Sequence, residues 1–227
     1  LRIYLCQHGH LLAYISVIGG AGDQIDFNQG FNEVILKDAI DSGKLEIKKG
    51  LKMFGTQTRP INKVLEYSTS PFIPGVTGSE EGTKRFIDEL GINVKVGGKY
   101  KKISQFSNEE IKKLVTGIIL RRLGSEDNPD DVLGKIYLIK DENDESPMRD
   151  AKEFSTLLNA CGRLKKPSLG IGICFGNKKI KEEAKNLLIK YKKEIINALD
   201  WFYENRKTEK IIEKNGYVII NAEDNIR

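Results

Sequence analysis

A glycine-rich run, Gly19-Gly20-Ala21-Gly22, delivers a single carboxylate, Asp23, directly after an apolar segment. Glycine allows positive φ and close backbone approach, and a carboxylate at the mouth of such a turn is a hard oxygen donor suited to Mg2+ or Mn2+. The same residues also suit a tight turn in which Asp23 hydrogen-bonds its own backbone or caps a helix. The run is not a dinucleotide fingerprint, because the third glycine of Gly-x-Gly-x-x-Gly is missing. His8 and His10 flank Gly9 and are the chain's two histidines, so any Ser-His-Asp or His-based zinc chemistry has to run through them. They sit beside an apolar run, with no second ligand cluster at matching spacing, and read as structural. The run from Gly170 to Gly176 has the wrong glycine interval for a phosphate loop and reads as close helix packing. Cys174 lies inside it, without the electropositive, partly exposed setting that a nucleophilic cysteine needs.

Basic residues gather at three places: Lys95, Lys99, Lys101 and Lys102 around Tyr100; Arg121-Arg122; and Arg163 with Lys165-Lys166. Lysine interleaved with an aromatic ring grips single-stranded nucleic acid by phosphate neutralisation and base stacking. A solvated hairpin and helix ends account for the same pattern. The net charge of +5, from 37 basic and 32 acidic residues, permits a polyanionic partner without the excess of a histone-like protein. Cys6, Cys161 and Cys174 cannot all pair and show no Cys-x-x-Cys spacing, which argues against a disulfide framework and a structural zinc site. They read as small buried hydrophobes.

These residues need elements to position them. Leu11 to Ile18 reads as a buried helix or strand that stops at the glycine run. A helix is predicted over Phe31 to Ile40, with Gly43 as its stop, then a short strand at Leu45-Glu46-Ile47 and two helical turns over Ile61 to Tyr67 after Pro60. Pro71, Pro74, Gly75 and Gly78 force a loop, and Thr77 with Glu80 forms a capping box for a helix through Leu90, closed by Gly91. Val94 to Ile103 alternates around Gly97-Gly98 as a basic hairpin. Ser107 with Glu110 opens a helix that Gly124 ends. Ile136 to Ile139 is a short apolar run between the acidic stretches Glu126 to Asp131 and Asp141 to Asp144. Ser146-Pro147 predicts a helix over Pro147 to Cys161. The longest helix spans Lys178 to Asn205, with Ala184, Leu187, Leu188, Tyr191, Ile195, Ala198, Leu199 and Phe202 on one stripe. Tyr217 to Asn221 is a strand. The fold class is α/β, in the sense of a mixed α+β protein with a mainly helical middle.

Of the 227 residues, 39% are hydrophobic and 30% charged, and the mean hydropathy is -0.39. That composition buries a core and excludes dominant disorder. No apolar run approaches a membrane span and no signal peptide opens the sequence, so no membrane partner and a cytoplasmic location are expected.

Several stretches together resemble the archaeal RecJ-like members of the DHH phosphoesterase superfamily. They are Leu12-Ala13-Tyr14 to Gly22-Asp23, Thr58-Arg59-Pro60 with Glu66-Tyr67-Ser68-Thr69, Pro71-Phe72-Ile73-Pro74-Gly75-Val76-Thr77-Gly78, and Leu157-Leu158-Asn159-Ala160-Cys161-Gly162-Arg163. The resemblance implies a nuclease dependent on Mn2+ or Mg2+ that trims single-stranded DNA or RNA, with replicative helicase-associated proteins as partners. In that family the Gly-Asp motif matched by Gly22-Asp23 supplies a metal-binding carboxylate, which makes Asp23 the catalytic and metal-ligand candidate. Arg59, Lys99, Tyr100, Lys101 and Arg163 are the candidates for nucleic-acid contact. The family's Asp-x-Asp strand end, further Asp, Asp-His-His signature and Gly-Gly-Gly-His motif are absent. The chain is therefore expected to be an internal piece of a longer protein, inactive by itself. Residues 1–95 then form the end of a DHH-type domain, 96–208 a mainly helical intervening region and 209–227 the start of a DHHA1-type domain. The alternative is a non-catalytic RecJ-like scaffold that binds replication proteins.

Overall fold

The computed structural model describes residues 2–223, with side chains from Leu12 onward, so readings that rest on the side chains of Cys6, His8 and His10 lie outside the described residues. The architecture is mixed α+β. The chain divides into two compact units, Leu1–Thr156 and Leu157–Arg227.

In the first unit, helices α1 (Arg2–Gly22) and α2 (Gly30–Asp41) precede strand β1 (Leu45–Leu51). Then come α3 (Ile61–Glu66), α4 (Glu80–Leu90), the hairpin of β2 (Lys95–Val96) and β3 (Lys99–Tyr100), α5 (Asn108–Arg122) and β4 (Leu133–Ile139), and α6 (Ala151–Arg163) begins here. β1 pairs antiparallel with β4, from Leu45 opposite Ile139 to Leu51 opposite Leu133. This ribbon closes the intervening residues into a lobe with its own core. Ile61, Leu65, Ile73, Phe86, Leu114 and Ile118 are fully buried in it, and Leu51 and Val132 seal it where the strands meet.

Local chemistry explains most boundaries. Ser107 and Glu110 form the expected capping box on α5, and Gly97 and Gly98 both take positive φ at the hairpin turn. Gly91 adopts the left-handed conformation that ends α4. α4 starts differently from the prediction: Ser79, not Thr77, is its N-cap, accepting from the Gly82 N–H. Thr77 instead fixes the preceding loop, donating to the Ser68 carbonyl and accepting from the Ile73 N–H. Arg122 is not a surface cation. It is buried and donates to the carbonyls of Phe72, Asn128 and Pro129, tying two loops to the end of α5.

The predicted helix at Ser146-Pro147 starts later. Asp150 caps α6, accepting from the N–H groups of Lys152 (2.8 Å) and Glu153 (3.2 Å), while Ser146 holds a preceding turn by accepting from the Met148 N–H. The glycine run is also corrected. It is helical to Gly22, because Gly20 lies under the Phe27 ring and Gly22 against Ser155 Oγ, where a Cβ has no room. The turn begins only at Asp23.

In the second unit, α7 (Pro167–Cys174) packs against the rest of α6 and against α8 (Lys181–Asn205); β5 (Ile211–Lys214) and β6 (Tyr217–Ile220) form an antiparallel hairpin. Gly170 and Gly172 lie in α7, against Cys161 and Ile180, which is the close helix packing expected of them. Burial pushes the thiols of Cys161 and Cys174 up, away from a reactive thiolate. The apolar stripe of α8 is buried only at Ala184 and Leu188. Among the described residues no helix is long and apolar enough to cross a membrane.

Gly82 fits where a Cβ would overlap the Gly75 carbonyl oxygen, a backbone atom that cannot swing aside. Gly82→Ala should lower the unfolding free energy by about 2–4 kcal/mol in urea titrations. Lys84→Ala, on the exposed side of the same helix, should change it by less than about 0.5 kcal/mol.

Candidate functional site

Asp23 sits at the C-terminal end of α1. Its N–H reaches the Gly19 carbonyl (3.2 Å), Gln24 takes the left-handed conformation, and the Ile25 N–H returns to the Gly20 carbonyl (2.8 Å), a Schellman-type ending. The side chain is exposed. A carboxylate at a helix C-terminus adds to the negative end of the helix dipole, so the position favours a nearby cation.

The following residues line a cleft of about 620 Å³ shared with Lys52, Asp131, Lys135, Asp150 and Lys152. Asp26 is tied to Asn28, Lys52 pairs with Asp131, and Lys135 donates to the Asn28 side chain. Asp150 is buried, and its desolvation pushes the carboxyl up from the usual range, opposed by the two N–H groups it caps. Of these charges Lys52 and Asp131 neutralise each other, while Asp26 and Lys135 both reach the neutral Asn28 side chain. Among the described residues no group of three or more His, Cys, Asp or Glu side chains could hold a metal ion. Asp23 is therefore one donor, and the described side chains do not by themselves fit a metal centre.

Arg59 lies in the loop ahead of α3. Gly55 has φ +87°, which lets the chain turn so that the Arg59 N–H reaches the Gly55 carbonyl and its guanidinium covers the Phe54 ring at 4.8 Å. Buried Glu153, from the first turn of α6, holds this loop by accepting from the Gln57 N–H (3.1 Å) and the Thr58 hydroxyl (2.5 Å). The sequence reading missed Glu153. The signal was present as Asp150-x-x-Glu153, a cap followed by an acid in the first turn, but Ser146-Pro147 drew the boundary upstream.

The hairpin joins this loop through the backbone. The Ile61 N–H donates to the Lys101 carbonyl (2.8 Å), and Pro60 bridges to Lys102. Arg59 and the residues 99–101 thus share one edge of the lobe. Lys95 Nζ lies over the Tyr100 ring at 4.8 Å and covers one of its faces. Lys99 is exposed, and no carboxylate among the described residues pairs with it or with Arg59. Lys101 is engaged by Glu110 (2.9 Å) and Lys102 by Glu145 (2.6 Å). Arg163 is exposed at the end of α6, in the second unit.

A mixed α+β chain with a strand-bounded lobe of this kind has a counterpart among known domains: residues 53–133 match the DHH-CID domain model. The matched span is nearly that of the lobe closed by β1 and β4, so the likeness to the DHH-CID domain lies in this lobe. The chain is also 30% identical over 190 residues to the uncharacterized protein MJ0831 of Methanocaldococcus jannaschii, an alignment covering 83% of this chain and 40% of that protein. The chain thus spans less than half the length of the curated relative it matches.

The Lys101–Glu110 pair and Asp150 give opposite pH responses. The hydrogen bond from Lys101, with those from Ser107, holds the Glu110 carboxyl below its ordinary value of 4.5. Its contribution is complete above pH 4.5 and is lost as pH falls through the lower folded value. Urea titrations should show Glu110→Gln destabilising at pH 7, with the difference from wild type closing below pH 4.5. The raised Asp150 contributes most below its ordinary value of 3.8 and less as pH rises through the folded value. Asp150→Asn, which keeps a capping oxygen, should therefore gain stability relative to wild type from pH 4 to pH 7.

Proposed function

We propose that this chain is part of a metal-dependent phosphodiesterase, RecJ-like in kind, that acts on single-stranded nucleic acid. The match of residues 53–133 to the DHH-CID domain is the observation that carries this reading. The exposed basic edge of that same lobe supports a polyanionic substrate. Lys99 and Arg59 neutralise phosphates there. Tyr100, half-buried against the lobe's core with Lys95 over its ring, offers only its exposed edge to a base, and Lys101 holds the hairpin to α5 through Glu110. Arg163, exposed at the end of α6 in the second unit, is a separate candidate for a phosphate contact.

Asp23 contributes one carboxylate toward a Mn2+ or Mg2+ centre whose other donors come from elsewhere in the whole protein. The helix end that carries Asp23 supports this role electrostatically. The chain by itself does not cleave.

Fluorescence anisotropy with a labelled single-stranded oligonucleotide tests the binding edge. Lys99→Ala and Arg59→Ala should each weaken binding about 3- to 10-fold and lower the salt slope by about 1, and Tyr100→Ala should weaken it without changing the slope. Manganese-dependent cleavage by the whole protein, lost in Asp23→Ala, completes the test. Binding without cleavage by the intact whole protein would instead favour a non-catalytic scaffold.

A further inference from the structure

The second unit contains a helix longer than its neighbours can cover. α8 buries Ala184 and Leu188 and has no fully buried residue after them; over the next stretch of about 25 Å, Tyr191, Ala198, Trp201 and Phe202 are half-covered on the side away from Ile196, and the Ile196 side is left open. That stretch is not polar. Ile189, Ile196, Leu199 and Tyr203 are 65%, 56%, 50% and 65% exposed. A lone helix of this length is marginal in water and gains its stability from burying an apolar stripe against another surface.

Helical geometry gathers these side chains on one face. With 100° per residue, Ile189 and Tyr203 lie about 20° to either side of Ile196, and Leu199 about 60° round. The spacing of seven between Ile189, Ile196 and Tyr203 is that of a helix-pairing seam.

Charge distribution identifies the partner. Up to Lys193 the helix carries Lys181, Lys185, Lys190, Lys192 and Lys193 against Glu182 and Glu183. From Glu194 to Asn205 it carries Glu194, Asp200 and Glu204 and no lysine or arginine. The first part is basic and the second acidic, so a helix complementary to α8 in an antiparallel sense has the charge order of α8 itself. We propose that α8 pairs antiparallel with α8 of a second copy of this chain, about a two-fold axis beside Ile196.

The two-fold operation fixes the contacts. It returns each residue on the same flank of the seam at the opposite height. Ile196 meets Ile196 of the second copy, and Ile189 comes beside Tyr203. Lys193, about 60° round from Ile196 and about 4.5 Å before it, meets Asp200, about 40° round on the same flank and about 6 Å after it. Each dimer therefore has the Lys193–Asp200 contact twice, flanking an apolar centre. A parallel two-fold pair would put the Lys193 and Asp200 side chains of the two copies on opposite flanks of the seam, where this contact does not form.

The interface is a single helix pair, smaller than a standard protein interface, so the dimer should depend on concentration. Light scattering coupled to size exclusion, run on the 227-residue chain over a concentration series, should show a monomer–dimer equilibrium. Ile196→Lys should give a monomer with unchanged helical circular dichroism. Lys193→Glu and Asp200→Lys should each weaken the dimer about tenfold or more, and the double variant carrying both should restore it. A chain that stays monomeric, a dimer insensitive to Ile196→Lys, or a double variant weaker than both singles would overturn the proposal.

Discussion

The first unit depends on the pairing of β1 with β4. The partners Leu45 and Ile139 are far apart in sequence, so the ribbon must close a long loop before its hydrogen bonds repay the entropy. Closure is stabilised from the inside, where Leu51 and Val132 enter the core of the lobe. It is stabilised from the outside by buried Arg149, which donates to the Ile139 carbonyl at the end of β4 and pairs with Glu46 of β1. Next to the Leu51–Leu133 end of the ribbon Gly50 faces Gly134, and the vacant faces are filled by the Ile136 side chain and the stem of Lys52.

The start of α6 transmits this constraint to the functional elements. Asp150 bridges to Leu138 of β4 through the backbone while its side chain caps the helix. One turn on, Glu153 sets the loop that carries Arg59, and Ser155 sits against Gly22 just before Asp23. A single helical turn thus positions both the candidate phosphate contact and the candidate metal donor. Burying Asp150 and Glu153 is costly, and each is compensated by N–H or hydroxyl donors. The arrangement favours rigidity at that turn over the stability an apolar substitute would give.

Local signals made much of this legible. The capping box at Ser107, the Gly97-Gly98 hairpin, the stop at Gly91 and the helix after Pro60 all follow from short-range chemistry, and the structure has each of them. The failures share a cause. Gly19 to Gly22 has the composition of a turn but is helical, because the reason for its glycines is tertiary: the Phe27 ring and Ser155 arrive from elsewhere in the chain. Arg122 carries the composition of a basic patch but is buried, because the carbonyls it satisfies belong to loops that only the folded lobe brings near. For α8 the stripe was correct in period, yet period alone does not say whether a surface exists to cover it.

The candidate site divides along the same line. That Asp23 follows a glycine run is local information, whereas its place at a helix C-terminus, where the dipole favours a cation, depends on how far α1 continues. The basic hairpin was visible as a charge pattern, but the pattern alone gives Lys99 and Lys101 the same weight. The structure separates them: Lys101 turns toward Glu110 at the capped start of α5, and Lys99 stays at the exposed edge. Every residue that closes the lobe's core lies between Leu51 and Val132, so the hairpin edge rests on a unit that does not draw on α1 or α2 for its packing. Surface charges on such a unit can be altered without disturbing the fold beneath them. The contact most open to tuning is therefore Lys99, while Arg59, Lys101, Arg122 and Glu153 are held by the structure they maintain.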